Sequence, residues 1–406
     1  MPDLPHQVDV AIVGAGPAGL AAATELRRLG IDRVVVLERE SEPGGVPRHC
    51  GHSPYGLREF KRPMLGPAYA RSLVSQARRA GVRIATGVTV IALKKGPCLE
   101  ISSDAGLSEI SAKVVMLATG IRETTRAGQL LGGTKPGGVL TTGALQGLVY
   151  GAGMRPFRRP VILGTELVAF SAILTCRHAG IRPVAMIEPG HRTTARWPAS
   201  LLPRLLGIPL LYRTGLVSIE GRETVEEVVL RTPGGERRLA ADGVIVTGRF
   251  RPEASLVRLG GLTYDPATGG PEVDEFGRTS DPQVFAAGNL LRGVETAGWC
   301  WAEGRAVAGA MARALSGGLP PPASQRIGQT GEHLAYVLPQ RIAGGAAPAL
   351  DVLQLRACSA ARGRLSLHAG GQETAGRALL ALPERRLLLP LPSPGSDPSV
   401  SLEPSS

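Results

Sequence analysis

The sequence predicts an α/β protein built from two units that each run strand, turn, helix and strand, followed by a smaller β-rich region. Three observations support this prediction. Residues 8–39 form one complete unit, residues 160–188 repeat its pattern, and residues 335–392 change to short apolar runs broken by glycine and proline. The recurrence of one pattern at two places indicates two domains of similar architecture in a single chain.

The first unit has the features of a dinucleotide-binding turn. Gly14, Gly16 and Gly19 follow an apolar strand in G-x-G-x-x-G spacing. Gly14 permits the tight turn, Gly16 lets the backbone approach a pyrophosphate, and Gly19 lets the helix pack on the strand. The helix, expected over residues 16–29, directs its positive end at that pyrophosphate. Glu38 ends the second strand, where its carboxylate can accept hydrogen bonds from a ribose diol.

The second unit keeps the pattern but loses most of its glycines. Its turn begins with Gly164, and Glu166 stands where the phosphate must approach. A carboxylate at this position repels a pyrophosphate and blocks its contacts with the backbone. Glu188 takes the place that Glu38 has in the first unit. Two alternatives follow, a working NAD(P) site or a vestigial domain kept for packing or partner contact, and the sequence favours the second.

The composition is typical of a soluble globular protein with two or three domains. The 406 residues are 43% hydrophobic and 20% charged, and no apolar run reaches the roughly 18 residues that span a bilayer. Residues 1–7 lack a basic region, so no secretory signal is expected. Five cysteines without a C-x-x-C pair argue against a metal site, a bound iron–sulfur cluster and a disulfide framework, and they fit a cytoplasmic location.

The formal net charge of +12 comes from basic residues spread along the whole chain. A nucleic-acid-binding protein would be expected to gather this charge on one face. We therefore expect no nucleic-acid partner, whereas an anionic substrate or an acidic partner protein stays open.

Two further small-residue turns follow apolar strands. The first is formed by residues 118–120, and the second ends the run at 279–289. Small residues at such turns let a backbone pass close to a ligand. A helix expected over residues 295–315 begins just after the second turn, where its positive end can stabilise negative charge on a bound ring. The polar residues 393–406 are expected to form a disordered tail.

The order of these landmarks resembles the two-dinucleotide-binding-domain flavoproteins, the FAD/NAD(P) oxidoreductases of the glutathione-reductase and thioredoxin-reductase type. The resemblance covers about residues 8–315. It implies two Rossmann-like domains, the second inserted in the first, with FAD along the first glycine turn. The implied divisions are an FAD-binding domain at 1–150 and 243–320, an NAD(P)-binding-like domain at 151–242, a small β-rich C-terminal domain at 333–392 and the tail at 393–406.

The same resemblance implies which residues bind FAD. They are Gly14, Gly16, Pro17, Ala18, Gly19, Glu38, Arg39, Gly45, Val90, Ala118, Thr119, Gly120, Gly288, Asn289 and Thr296. The family usually has Asp where this chain has Asn289. An amide at this position can still bond a hydroxyl or a phosphate oxygen, with less repulsion from phosphate.

A narrower resemblance lies in residues 43–70, which look like a pattern found in flavoprotein subunits beside glycerol-3-phosphate-dehydrogenase-like partners. Related subunits belong to amine, opine and proline dehydrogenases and to cyanide synthase. The resemblance implies a partner flavoprotein and a small-molecule substrate. Many relatives carry cysteines for an iron–sulfur cluster, which this chain lacks, so a separate small iron–sulfur subunit would be needed if a cluster takes part.

Candidate catalytic residues lie in the same segment. The disulfide reductases of the resembled group use two cysteines, and this chain has Cys50 alone there. Neighbouring Arg48 and His49 could lower the pKa of the Cys50 thiol, or Cys50 could be a small buried residue near the flavin. His49 and His52 are candidate proton-transfer groups because imidazole titrates near neutrality, or they are loop histidines bonded to backbone.

Three functions follow. The first is an FAD-dependent oxidoreductase subunit, in which the chain serves as a dehydrogenase or electron-transfer component for a small amine or hydroxy substrate and works with a partner flavoprotein. The second is a stand-alone NAD(P)H-dependent reductase that uses Cys50. The third is a non-catalytic assembly subunit that holds FAD.

Overall fold

The structure, a computed structural model, describes residues 4–404, and expectations that concern residues 1–3 or 405–406 lie outside the described residues. Up to residue 130 the elements are β1 (Gln7–Val13), α1 (Pro17–Arg28), β2 (Val34–Glu38), α2 (Gly66–Arg79), β3 (Arg83–Thr86), β4 (Thr89–Lys94), β5 (Cys98–Ser103), β6 (Gly106–Leu117) and β7 (Ile121–Glu123). From residue 131 to 249 they are β8 (Gly132–Gly133), β9 (Val139–Thr141), α3 (Thr142–Gln146), β10 (Pro160–Leu163), α4 (Leu167–His178), β11 (Ala185–Glu188), α5 (Leu201–Leu205), β12 (Leu210–Tyr212), β13 (Gly215–Glu220), β14 (Glu227–Thr232), β15 (Gly235–Ala240) and β16 (Gly243–Val246).

From residue 250 onward the chain completes the first domain and forms the C-terminal one. These elements are β17 (Phe250–Pro252), α6 (Ser255–Leu259), β18 (Val284–Ala286), α7 (Ala297–Leu315), β19 (Gln325–Arg326), β20 (Gly328–Thr330), β21 (Leu334–Leu338), β22 (Arg341–Ile342), β23 (Val352–Ala357), β24 (Ala361–Ala369), β25 (Gln372–Ala381), β26 (Leu387–Pro390) and β27 (Ser399–Pro404).

The first domain is built on a sheet with the strand order β3-β2-β1-β6-β5-β4, and β18 pairs with β6. β1 is parallel to both neighbours, so that Val10 lies opposite Val34 on one side and Val114 on the other. Val10 and Ile12 pack into the core that contains α1 and α7, whereas Ala11 and Val13 pack into the core on the opposite face. Because both faces are covered, the strand is an unbroken apolar run, as the sequence indicated.

Helix α1 begins at Pro17, with Gly16 as its N-cap, and ends at Arg28, within one residue of the predicted limits. Proline suits the first helical position because its missing N–H would have no partner there. α7 crosses α1 closely: a Cβ on Gly304 would collide with the backbone of Ala18. This crossing brings the start of α7 to the side of the first glycine turn.

The second domain is inserted in the first, as expected, between the paired strands β7 and β17. Its parallel sheet has the order β12-β11-β10-β16-β9, and an antiparallel layer, β15-β14-β13, packs beside it. The predicted limits of 151 and 242 are wrong, because β9 and β16 lie in this sheet: Val244 pairs with Val139 on one side and with Val161 on the other. Short buried strands such as β9 and β16 have the same apolar composition in the sheet of the first domain and in that of the second. Only their hydrogen-bonded pairing shows to which domain they belong.

The C-terminal domain is β-rich, as expected, but it extends beyond the predicted residues 333–392. Its two sheets have the orders β20-β27-β24-β25 and β21-β23-β26. The prediction of a disordered tail at 393–406 is wrong for residues 399–404, which form β27 between β20 and β24. Val400 and Leu402 are fully buried and alternate with serines. This alternation of apolar and polar residues is too short to predict a strand within a segment of polar composition. The strands that pair with β27 also lie far away in the sequence.

The C-terminal domain contacts both the first and the second domain through hydrogen bonds of arginine side chains. Arg292, which is 1% exposed, bonds Glu303 of α7 and Gln354 of β23. In the second domain, both terminal nitrogens of Arg192 donate to the carboxylate of Glu384, at 2.9 and 3.1 Å. The turn at 382–386 therefore ties the second domain to the third.

We expect the Arg192–Glu384 pair to contribute a measurable coupling energy. In a double-mutant cycle of Arg192→Ala and Glu384→Ala, urea unfolding should give a coupling of about 0.5–1 kcal/mol, because the pair is bidentate and partly shielded. The Arg231–Glu236 pair, 4.0 Å apart with both side chains exposed, is the control and should give no measurable coupling. Equal coupling energies for the two pairs would contradict the prediction.

Candidate functional site

The first glycine turn has the tight geometry that the sequence indicated. The N–H of Gly14 donates to the carbonyl of Leu37 at 2.8 Å, and the N–H of Ala118 donates to the carbonyl of Val13 at 2.9 Å. Gly14 has a φ of +108°, and a Cβ at this position would collide with the carbonyl oxygen of Ala118. The turn at 14–16 and the turn at 118–120 therefore lie side by side, and both depend on small residues.

Gly16 faces open space. No atom lies within 4 Å of the position that a Cβ on Gly16 would occupy, whereas a Cβ on Gly45 would come to 2.8 Å from the Cα of Gly16. The N–H of Gly44 donates to the carbonyl of Ala15 at 2.8 Å, which holds the 43–46 segment against the turn. The start of α1 is thus an open cradle with a second wall, where free N–H groups can meet an anion.

Glu38 lies at the edge of this cradle and is buried. Its carboxylate accepts from the N–H of Ala15 at 2.9 Å and from the N–H of Glu40 at 3.0 Å, which leaves acceptor capacity on both oxygens. The backbone of Val88 donates to the carbonyl of Glu38 at 3.0 Å. Val90, which the resemblance implies as an FAD-binding residue, lies two residues further on, in β4, and its contact with FAD stays a prediction. Arg39 is half exposed and its nearest charge is Glu40 at 3.5 Å.

The turn at Gly288 and the start of α7 lie on the other side of the open space at the start of α1. The N–H of Gly288 donates to Glu303 at 2.7 Å, and a Cβ on Gly288 would come to 2.8 Å from the Cβ of Ala18. Thr296 is the N-cap of α7 and its side chain makes no capping bond. The first N–H groups of α7 therefore lack a partner within the helix and are available to a ligand.

Asn289 makes two hydrogen bonds within its own loop, and its contact with FAD stays a prediction. Its amide donates to the carbonyl of Glu295 at 3.1 Å and accepts from the N–H of Glu295 at 2.7 Å. Both ends of the side chain thus hold the 289–295 loop in place. A carboxylate could accept from the N–H but could not donate to the carbonyl, which is a structural reason for amide at this position.

The second glycine turn repeats the backbone of the first but is filled. The N–H of Gly164 donates to the carbonyl of Ile187 at 2.9 Å, just as Gly14 donates to Leu37. The Glu166 carboxylate folds over this turn, accepts from the hydroxyl of Thr247 at 2.9 Å, and lies 2.6 Å from the position of a Cβ on Gly248. Burial raises the pKa of Glu166. A side-chain carboxylate therefore occupies the space that is open above Gly16.

Glu188 of the second unit is also engaged within the protein. Its carboxylate accepts from the hydroxyl of Thr165 and, at 2.7 Å, from the N–H of Gly190. Glu188 thus resembles Glu38, which likewise accepts two internal hydrogen bonds, both from backbone N–H groups, and the second turn differs from the first by the additional carboxylate of Glu166.

The candidate catalytic residues share one segment but do not form a reactive thiol pair. Cys50 is buried, and its sulfur lies 3.5 Å from the carbonyl oxygen of Val46 and 3.5 Å from the side-chain oxygen of Gln146. Burial raises the pKa of the Cys50 thiol, contrary to the expectation that Arg48 and His49 lower it. Burial dominates because a thiolate at this position would lose its hydration, and the hydrogen bond with Tyr55 only partly offsets the rise in the pKa.

The two histidines are neutral loop groups in this arrangement. Burial, together with the charge of Arg48, lowers the pKa of His49, and burial lowers the pKa of His52. The ring of His52 lies 5.4 Å from that of Tyr55. Both histidines can accept or donate one proton in their neutral form, so their role in proton transfer stays a prediction.

We expect Cys50 to react slowly with iodoacetamide. At a pH of about 7.5, exposed Cys358 should be alkylated at least roughly tenfold faster, because the thiolate is the nucleophile and Cys50 is buried with a raised pKa. Labelling of Cys50 should continue to increase as the pH rises above 9, which peptide mass spectrometry can follow. Equal labelling rates of Cys50 and Cys358 at neutral pH would instead support a reactive Cys50.

Residues 4–404 contain neither a metal-binding cluster nor a membrane-spanning helix. No group of three or more His, Cys, Asp or Glu side chains is arranged to hold a metal ion. No helix in the described part of the chain is both long and apolar enough to cross a membrane. All five cysteines are free.

Comparison with known proteins assigns the chain to a family. A family model described as pyridine nucleotide-disulphide oxidoreductase matches residues 8–304. The chain belongs to this family. In solved structures, the family fold appears in the thioredoxin reductase of T. acidophilum, which superposes with a TM-score of 0.64 at 23% identity and covers 76% of this chain and 98% of that one.

Two curated relatives are similar in sequence. An opine oxidase subunit of Rhizobium meliloti is 27% identical in an alignment that covers 78% of this chain and 62% of that protein. The NADPH glutamate synthase small chain of Mycobacterium tuberculosis is 30% identical in an alignment that covers 77% of this chain and 68% of that protein. The chain therefore spans less than two thirds of the length of the opine oxidase protein.

The residues present fit the FAD that the family binds. Gly16 and the start of α1 offer an open cradle for a pyrophosphate, Glu38 has acceptor capacity for a ribose, and the start of α7 offers free N–H groups. The chain thus combines the two-domain fold of this family with five free cysteines.

Proposed function

We propose that this oxidoreductase is the FAD-holding subunit of a multi-subunit dehydrogenase that oxidises a small amine or hydroxy compound and passes the electrons to partner proteins. The contrast between the two glycine turns carries the proposal. The cradle above Gly16 is open, whereas the equivalent space in the second domain is filled by the Glu166 carboxylate. A filled second turn argues against NAD(P)H as the electron donor.

The curated relatives support a role within a larger assembly. The small chain of glutamate synthase and the subunit of opine oxidase are, by their names, parts of larger enzymes. We propose a partner flavoprotein and a small iron–sulfur protein, as the resemblance of residues 43–70 implies. Five free cysteines support a reducing compartment such as the cytoplasm.

The chain's own residues supply binding and electrostatics at the first site. When bound, FAD accepts two electrons from a donor. The turn at Gly14 and Gly16 and the start of α1 would hold the pyrophosphate, and Glu38 would hold the ribose. The positive end of α7 at Thr296 would stabilise negative charge on the bound cofactor.

Anaerobic spectroscopy tests this proposal. The purified protein should be yellow, and NADH or NADPH should not bleach the flavin absorption at roughly 450 nm, whereas dithionite should. The reduced flavin should then pass its electrons to a dye acceptor. Amines and hydroxy acids are screened for bleaching in the same assay, and one class should give it when the partner flavoprotein is present.

Two other outcomes would favour the alternatives. Rapid bleaching by NADH or NADPH that is lost in the Cys50→Ser variant would support a stand-alone reductase. A yellow protein whose dithionite-reduced flavin exchanges electrons with no dye acceptor would support a non-catalytic subunit that holds FAD.

A further inference from the structure

A groove with a volume of about 530 Å³ lies along the solvent side of α2 and is called here the α2 groove. It is lined by Phe60, Arg62, Met64, Ala68, Arg71, Ser72, Ser75, Gln76 and Arg79. Three of these side chains are cationic, and none of the lining residues that the structure describes is acidic.

The three arginines carry the charge of the groove. Arg62, Arg71 and Arg79 are exposed, and within residues 4–404 no carboxylate pairs with any of them. Elsewhere in the chain many arginines are paired, as Arg292 is with Glu303 at 3.0 Å. Three unpaired guanidinium groups around one groove create a local positive potential that attracts an anionic partner.

The floor of the groove is apolar and its walls can form hydrogen bonds. Phe60, Met64 and Ala68 are partly buried, and Ser72 and Gln76 are partly exposed beside them. A free inorganic anion would use the arginines but not the apolar floor. A protein segment that combines acidic and apolar side chains can use both, and buried apolar centres with charged rims are common in protein interfaces.

The groove is also close to the candidate catalytic segment. The N–H of Gly66, the first residue of α2, donates to the carbonyl of Cys50 at 3.1 Å. Aromatic rings continue inward from the groove: Phe60 lies 6.0 Å from Tyr69, and Tyr69 lies 5.5 Å from Tyr55. Tyr55 in turn contacts the ring of His52. A partner in the groove would therefore lie three ring contacts from His52.

We infer that the α2 groove is the docking surface for an acidic electron-transfer partner protein, an inference that rests on the proposed function. The net charge of +12 favours such a partner over a basic one. The partner presents carboxylates to the three arginines and an apolar side chain to Phe60 and Met64.

Calorimetric titration of the FAD-loaded protein with an acidic plant-type [2Fe–2S] ferredoxin as the probe tests the inference. At about 20 mM NaCl we expect binding that weakens steeply at about 300 mM, because salt screens exposed charges. The Arg71→Glu and Arg79→Glu variants should each bind roughly tenfold more weakly at low salt. Arg237→Glu and Arg377→Glu, on exposed strand positions of β15 and β25, are the matched controls and should bind as the unaltered protein does.

The result separates docking from the proposed function. Absence of binding at low salt, or equal loss of binding in the groove and control variants, would overturn the docking surface. All four variants should keep their flavin colour and their electron transfer to a dye after dithionite reduction. Failure of the unaltered protein to reduce the dye would contradict the proposed function. The docking surface would still be tested by the calorimetric titration alone.

Discussion

We expect the Glu166→Gly variant to bind NADH or NADPH about a thousandfold more tightly than the unaltered protein. The carboxylate of Glu166 lies over the Gly164 turn, where a pyrophosphate would have to sit. Two unit charges about 4 Å apart repel each other by about 4 kcal/mol at an effective dielectric constant of about 20. Every 1.4 kcal/mol is about tenfold in affinity, so removing the charge has a large effect.

Titration of each protein with NADH, followed by calorimetry, measures the change, and bleaching of the flavin gives a second readout. Glycine is tolerated at a helix N-cap, which is the position of Glu166, so the variant should fold. Glu166→Gln is the matched control: it removes the charge but keeps the bulk, and its gain should be smaller. Tight binding of NADH by the unaltered protein would show that the carboxylate does not close the site.

The reciprocal change, Gly16→Glu, is expected to abolish FAD binding. It places in the first turn the carboxylate that fills the second, in space that no protein atom occupies. The loss in affinity should be about a thousandfold or more, by the same electrostatic argument and because the side chain fills the cradle. The purified variant should be folded by circular dichroism but colourless.

Gly147→Ala provides the control for this experiment. Its Cβ would also meet no atom within 4 Å, but it lies in the second domain, away from the cradle, so the variant should stay fully yellow. Gly16→Ala should give partial loss of flavin, since a methyl group is smaller than a carboxylate side chain. A yellow Gly16→Glu protein with a full complement of FAD would contradict the assignment of FAD to this turn.

The parts of the site that the sequence predicted correctly are contiguous in the chain. Strand β1, the turn at Gly14 and Gly16, helix α1 and the acid at Glu38 lie within 32 residues. The tight turn depends on the φ of +108° at Gly14, a conformation that glycine adopts readily. The sequence also indicated that the second turn is obstructed, because Glu166 replaces a glycine where the first pattern is repeated.

Other features could not be predicted because they depend on pairing between distant residues. The assignment of β9 and β16 to the second domain follows from their ladder with β10, which composition does not reveal. The strand at 399–404 becomes ordered only between β20 and β24. The raised pKa of Cys50 depends on its burial beside Gln146, 96 residues further along the chain.

The sequence by itself determined the class of fold, the family resemblance and which of two similar turns keeps its glycines, because each of these depends on residue types at short spacing. Only the tertiary structure decided that the Glu166 carboxylate fills its turn, that Asn289 holds a loop, and that three arginines of α2 and its preceding loop surround one groove. Those properties arise from side-chain direction, burial and long-range pairing, which a linear pattern does not encode.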